Sequence, residues 1–223
     1  MDLNKSREFF DPSKFNNLKC HIIGCGAIGS SVAELLARQG INNFILWDED
    51  KIESHNIVNQ MFIEKDIGTP KTEALTKHLF EINPDIKQIK IKGFCTNENL
   101  GGYVFLCTDS IKSRRTIIEN NIKNQAIKAV FDFRMTLLEG QHYAANWIKK
   151  NHRDNLLKTM DFTDEEANKN TPVSACGFQL SVAPTVRIIS ALGVANFTNF
   201  LNNNTLKTFI QSDPYDFFLE AIG

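Results

Sequence analysis

The sequence predicts an α/β protein: a Rossmann-like, mainly parallel sheet flanked by helices, with antiparallel strands toward the C-terminal part. Three observations predict it. Short apolar runs of strand length alternate with helically periodic segments along most of the 223 residues. A glycine turn, Gly24-Cys25-Gly26-Ala27-Ile28-Gly29, stands between the first such run and the first such helix. The next apolar run ends in a carboxylate, Asp48, 19 residues after Gly29.

Taken in order, His21-Ile22-Ile23 is a strand ending at the glycine turn. Residues 30–39 have helical spacing, with Val32, Leu35 and Leu36 on one face, and Gly40 ends the helix. Asn43-Phe44-Ile45-Leu46-Trp47 is a second, buried strand, so the first 28 or so structured residues make one βαβ unit. Residues 51–67 are polar and irregular. Pro70 opens a helix with Ala74, Leu75 and Leu79 inward, and Asn83-Pro84 closes it. Residues 87–93 alternate Ile89 and Ile91 with charge, as a half-exposed strand does. Tyr103-Val104-Phe105-Leu106-Cys107 is a buried strand running into Thr108-Asp109. A helix is expected over 112–121 and strands over 128–133 and 141–148.

Residues 151–171 break the pattern. They are polar and charge-rich, and are expected to form a mobile crossover loop with a short helix at 164–168. Beyond them, 184–199 is apolar with helical spacing: Val186, Ile189, Leu192 and the run from Val194 to Phe197 would pack inward. No internal repeat divides the chain, so 1–223 reads as one domain.

Composition narrows the partners. The 25 basic and 26 acidic residues nearly cancel, which gives no electrostatic case for nucleic acid or an anionic membrane. The polar N-terminus lacks a signal-peptide core, and no apolar run approaches a membrane span, so a cytoplasmic location is expected. Five cysteines in irregular spacing, without a CxxC pair, argue against a zinc site and a disulfide framework. The five histidines show no HxxH or HExxH spacing.

The chemistry begins at the glycine turn. Glycines there let backbone approach a phosphate, and the following helix offers free N–H groups. Asp48 can accept hydrogen bonds from ribose hydroxyls. Those features alone specify an adenine nucleotide, or a turn glycine-rich merely for packing; a nicotinamide enzyme would be the natural reading. The residues that follow point elsewhere. Asn56 and Gln60 can hold phosphate oxygens with neutral donors, and Lys71, pinned by Gly68 and Pro70, can bring a point charge to a triphosphate. Asp109, at the end of a parallel strand, can hold Mg²⁺ beside phosphates or cap the next helix. Arg114 follows about one helical turn later.

Together these residues resemble the ThiF/MoeB/HesA family, relatives of ubiquitin-activating enzymes. The matching segments are GCGAIG from Gly24, WDEDKIESHNIVNQ from Trp47, IGTPK from Ile67, EINP from Glu81, LCTDSIKSR from Leu106 and LEGQ from Leu138, in family order. The resemblance implies ATP-dependent adenylation of the C-terminal carboxylate of a small ubiquitin-like or sulfur-carrier-like protein ending in Gly-Gly, after which a thiol or sulfur displaces AMP. It assigns ATP to Gly24, Gly26, Ala27, Ile28, Gly29, Asp48, Asp50, Asn56, Gln60, Lys71, Asp109 and Arg114. It gives Mg²⁺ to Asp109, electrostatic catalysis to Lys71 and Asp109, and acyl transfer to Cys176, whose bland reading is a buried small hydrophobe. It also implies a homodimer in which Arg7 reaches the partner's nucleotide. The sequence departs from the family in lacking its paired CxxC zinc ligands, and the family's arginine before Gln60 is Asn59 here, so Arg7 or Arg134 would have to supply the missing cation. Two alternatives share the scaffold: adenylation of a peptide, or of another small carboxylate or amide, and nucleotide binding without catalysis.

Overall fold

The computed structural model describes residues 1–15, 18–95, 97–169, 172–175, 177 and 179–223. The first strand, β1 (Lys19–Ile23), leads through the glycine turn into helix α1 (Ala27–Arg38) and back to β2 (Asn43–Trp47). Then come α2 (Lys71–Ile82), β3 (Gln88–Lys92), β4 (Gly102–Leu106), α3 (Ile111–Asn121) and β5 (Ile127–Met135). The last part carries β6 (Gly140–Asn146), α4 (Lys150–Lys158), α5 (Asp164–Lys169), α6 (Ala183–Asn203), β7 (Phe209–Asp213) and β8 (Phe218–Ile222).

All eight strands join one sheet in the order β3-β2-β1-β4-β5-β6-β7-β8. The first five are parallel, and β5 through β8 pair antiparallel. The mixed sheet matches the expectation from sequence. Strand order reverses between β1 and β4, and a crevice opens beyond the carboxyl ends of strands at such a point.

Alternation along the strands divides the core into two layers. Cys20, Ile22, Phe44, Leu46, Phe105 and Phe131 face α1, α2 and α6. Ile23, Ile45, Trp47, Val104, Leu106 and Val130 face the layer of α3 and α4. α6 is held by aromatic contacts, with the Phe197 ring edge-on to Phe105 and Phe131 at 5.4 Å. β3 is an edge strand more exposed than its alternation suggested, Ile91 included. At the other edge, all five residues of β8 are exposed.

Residues 151–171 differ from expectation. Instead of a loop with one short helix they carry most of α4 as well as α5. α4 forms because Leu156 and the following Met160 bury against the layer that holds Trp147, while Lys150 and Asp154 pair at 2.6 Å across one turn. One inward residue in nine is too weak a period to read from sequence. Among the described residues, no helix is long and apolar enough to cross a membrane.

Candidate functional site

The glycine turn closes on itself. Gly24 has φ of +90°, and a Cβ there would meet Cys107 and Thr108 backbone at 2.8 Å. A Cβ on Gly29 would stand 1.8 Å from the Gly24 carbonyl oxygen. These two glycines therefore let β1's end, β4's end and α1's first turn share one small volume. Gly26 is different: it is the N-cap of α1, makes no side-chain cap, and has only Gln60 Nε2, at 3.9 Å, near the place of a Cβ. The first amides of α1, those of Ala27, Ile28 and Gly29, thus begin a helix whose N-terminus no side chain caps among the described residues.

Asp48 leaves the end of β2 and turns toward this loop. One carboxylate oxygen accepts the Cys25 amide at 2.7 Å and the other accepts the Asp50 amide at 2.9 Å. Burial raises its carboxyl above the ordinary value; those two amides and the Lys71 charge oppose the rise. Lys71 is buried at 8% exposure, unusual for a lysine, and its ammonium donates to Asp50 at 2.7 Å. Its place is fixed by short backbone pairing: Lys71 N–H to the Asp50 carbonyl, Ile52 N–H to Thr69, Gly68 N–H to Ile52. The structure therefore brings Asp48, Asp50 and Lys71 together beside the turn.

Asn56 is buried, and its side-chain oxygen accepts the Glu53 amide, capping a short 3-10 turn over Ser54–Val58. Gln60 lies above Gly26 with its side-chain oxygen buried and unpartnered among the described residues.

Asp109 follows β4 on the other side of the switch point. It is exposed, and its carboxylate has no hydrogen-bond or ion-pair partner among the described residues. It does not cap α3. Ser110 does, accepting the Ser113 amide at 3.1 Å, and Asp164 from α5 adds a second cap on the Ile111 amide at 2.6 Å. The helix end is therefore satisfied without Asp109, which stays free for a ligand. A single free carboxylate suits Mg²⁺, which takes one or two plus phosphate oxygens; no cluster of three metal-ligating side chains occurs among the described residues.

Arg114 departs from the expected phosphate contact. It is buried, ion-paired to Asp132, and donates to the carbonyls of Leu106 and Thr108 beneath the Asp109 turn. Arg134 cannot replace the missing arginine either. It pairs with Asp132 at 2.7 Å, donates to the Thr159 carbonyl at 2.7 Å and stacks on Tyr143 at 4.4 Å. Arg7 is exposed, with a 3.8 Å contact to Asp11. Cys176 lies outside the described residues. Of the cysteines left, Cys25 is fully buried, and burial pushes its thiol well above the ordinary value. Asp132 escaped the sequence reading. Its signal was a lone carboxylate inside the apolar run of β5, which requires a buried partner.

A doubly wound sheet with a glycine turn at its switch point defines an open α/β protein whose ligand crevice lies beyond the carboxyl ends of β1 and β4. The chain belongs to the ThiF family, whose description matches residues 8–221. It is 32% identical over 119 residues to the ubiquitin-like modifier-activating enzyme 5 of Arabidopsis thaliana, covering 43% of this chain and 27% of that protein. It is 32% identical over 103 residues to the sulfur carrier protein ThiS adenylyltransferase of Escherichia coli, covering 43% of this chain and 41% of that one. The chain thus spans less than half the length of either relative. The fold matches the crystal structure of E. coli MccB with ATP at a TM-score of 0.70, with 20% identity, over 94% of this chain and 64% of that chain.

Proposed function

We propose that this chain is an ATP-dependent adenylyltransferase that activates the C-terminal carboxylate of a small ubiquitin-like or sulfur-carrier-like protein. The observation that carries the reading is Asp48 and the Asp50-paired Lys71 beside the uncapped N-terminus of α1, with Asp109 just past the end of β4, the strand that pairs with β1. Asp48 receives ribose hydroxyls with whatever acceptor capacity the Cys25 and Asp50 amides leave. The amides of Ala27, Ile28 and Gly29 receive phosphate oxygens, with Asn56 and Gln60 as neutral donors. Lys71 supplies the buried positive charge. Asp109 holds Mg²⁺, which when bound would neutralise the phosphate oxygens.

In the reaction a carboxylate oxygen of the acceptor attacks the α-phosphorus. The bond to the bridging oxygen breaks, pyrophosphate leaves with the electron pair, and an acyl adenylate remains. No protein nucleophile is needed; position and charge supply the acceleration. Lys71 acts on the charge that moves toward pyrophosphate. Cys176 then takes the acyl group as a thiolate, with AMP as leaving group. The reading extends to a homodimer in which the exposed Arg7 serves the other copy, in the cytoplasm.

The test is ATP–pyrophosphate exchange with candidate Gly-Gly-ending proteins. Wild type exchanges label in the presence of Mg²⁺ and a cognate tail; Lys71→Ala lowers the rate by about 10²–10³-fold, the usual cost of one preorganised charge. A Lys71→Ala protein exchanging at the wild-type rate would sink the assignment.

A second reading is favoured by one observation: Asn59 stands where the family has an arginine, while Arg114 and Arg134 are committed to Asp132. On that reading the chain binds nucleotide without turning it over. Mg·ATP binding by calorimetry combined with no exchange, on any protein or peptide carboxylate offered, would decide for it.

A further inference from the structure

We infer that Asp132 is a positioning residue for Asp109, and that it sets the Mg²⁺ response of the site through Arg114. The inference rests on the nucleotide reading above and adds a part to it.

Asp132 stands in β5 opposite Leu106 of β4, at the point where β4 runs out into the Asp109 turn. It is fully buried. One of its oxygens accepts from Arg114 Nη1, which also donates to the Leu106 carbonyl, while Nη2 donates to the Thr108 carbonyl. Those carbonyls flank the last residues before Asp109. The guanidinium is planar and forked, so gripping two carbonyls and one carboxylate fixes the peptide plane that leads into Asp109. The far side of the same turn is held as well. Asp164 accepts the Ser110 hydroxyl at 3.0 Å and the Ile111 amide at 2.6 Å. Asp109 is therefore a free side chain on a backbone clamped before and after it.

The second Asp132 oxygen holds Arg134, whose other donors fix the Thr159 carbonyl and hydroxyl at 2.7 and 2.8 Å, just past α4. One carboxylate thereby ties the Asp109 turn to the segment that leads into α5. Stability alone is a poor explanation for this arrangement. A buried carboxylate held by two guanidinium groups carries a desolvation cost that apolar residues of equal volume would not, and such pairs are commonly neutral to stability. What a rigid ion pair does supply is geometry, and second-sphere partners of this kind typically change metal affinity by about 10–100-fold.

The experiment is a pair of titrations on Asp132→Asn: ATP binding in EDTA, and Mg²⁺ titrated at saturating ATP. Expected is a Mg²⁺ midpoint raised about 10–100-fold, with Mg-free ATP affinity within about threefold of wild type. Arg114→Lys, which keeps the charge but loses the fork, should show the same split and serves if Asp132→Asn does not fold. A folded variant with an unchanged Mg²⁺ midpoint, or one that loses both affinities by the same factor, overturns the inference while leaving the nucleotide reading intact. Wild type that binds no ATP overturns that reading itself.

Discussion

Alanine at Gly29 should break the site and the fold together. The added methyl would sit 1.8 Å from the Gly24 carbonyl oxygen and 2.9 Å from its carbon, where real contacts stay beyond 3.0 Å, so the turn must open by at least about 1.2 Å. The obstacle is backbone, which cannot swing aside as a long side chain would. Overpacking of this kind costs about 1–3 kcal/mol, and a backbone clash belongs at the upper end. In a chain of this size about 3 kcal/mol lowers Tm by roughly 6–12 °C. The same opening moves the α1 amides, so ATP affinity should fall at least about tenfold, equivalent to 1.4 kcal/mol. Gly26→Ala is the paired control. Its Cβ has only Gln60 Nε2 nearby, at 3.9 Å, so Tm should stay within about 2 °C of wild type while the methyl occupies the ligand side of the turn and weakens ATP binding. Differential scanning fluorimetry and calorimetry read both quantities. If Gly29→Ala melts within about 2 °C of wild type, the packing argument is wrong.

Asp164→Ala removes the second cap of α3 and should cost about 1 kcal/mol, visible as a Tm drop of about 2–4 °C and faster hydrogen exchange at the Ile111 amide, which the carboxylate now holds at 2.6 Å; unchanged exchange there would refute the role. Stability should also depend on pH below neutrality. Burial lowers His21 and His142 to about 4, against 6.5 in the unfolded chain. Between those values the unfolded chain binds more protons, so the contribution is complete above about pH 6.5 and is lost as pH falls toward 4. By pH 5 each should have cost on the order of 2 kcal/mol; a Tm equal at pH 7.5 and pH 5 would contradict this.

Much of this was legible in the sequence because its signals are local. β1, the glycine turn, α1 and β2 each announce themselves within a few residues, and Lys71 was marked by the Gly68 and Pro70 that fix it. What could not be read depends on partners far along the chain. Nothing near Asp109 says that Ser110 takes the cap, or that Asp164, more than fifty residues on, takes a second share. Arg114 looked like a ligand contact because a helix face is ambiguous until β5 is placed beside β4; only then does Asp132 lie opposite Leu106. α4 hid because its one buried leucine gives no period, and its stability comes from tertiary contact with the layer around Trp147.

The double cap on α3 also decides the electrical character of the crevice. A helix N-terminus carries about half a positive charge, and two of them, α1 and α3, begin at the ends of the neighbouring strands β1 and β4. Asp164 brings a full negative charge onto the first turn of α3, whereas the carboxylate beside α1, Asp48, is spent on the Cys25 amide ahead of the helix and the α1 amides carry no side-chain cap. Two like poles thereby become unequal. An anion entering between them meets a gradient rather than a uniform attraction, and the gradient tells it which helix to approach.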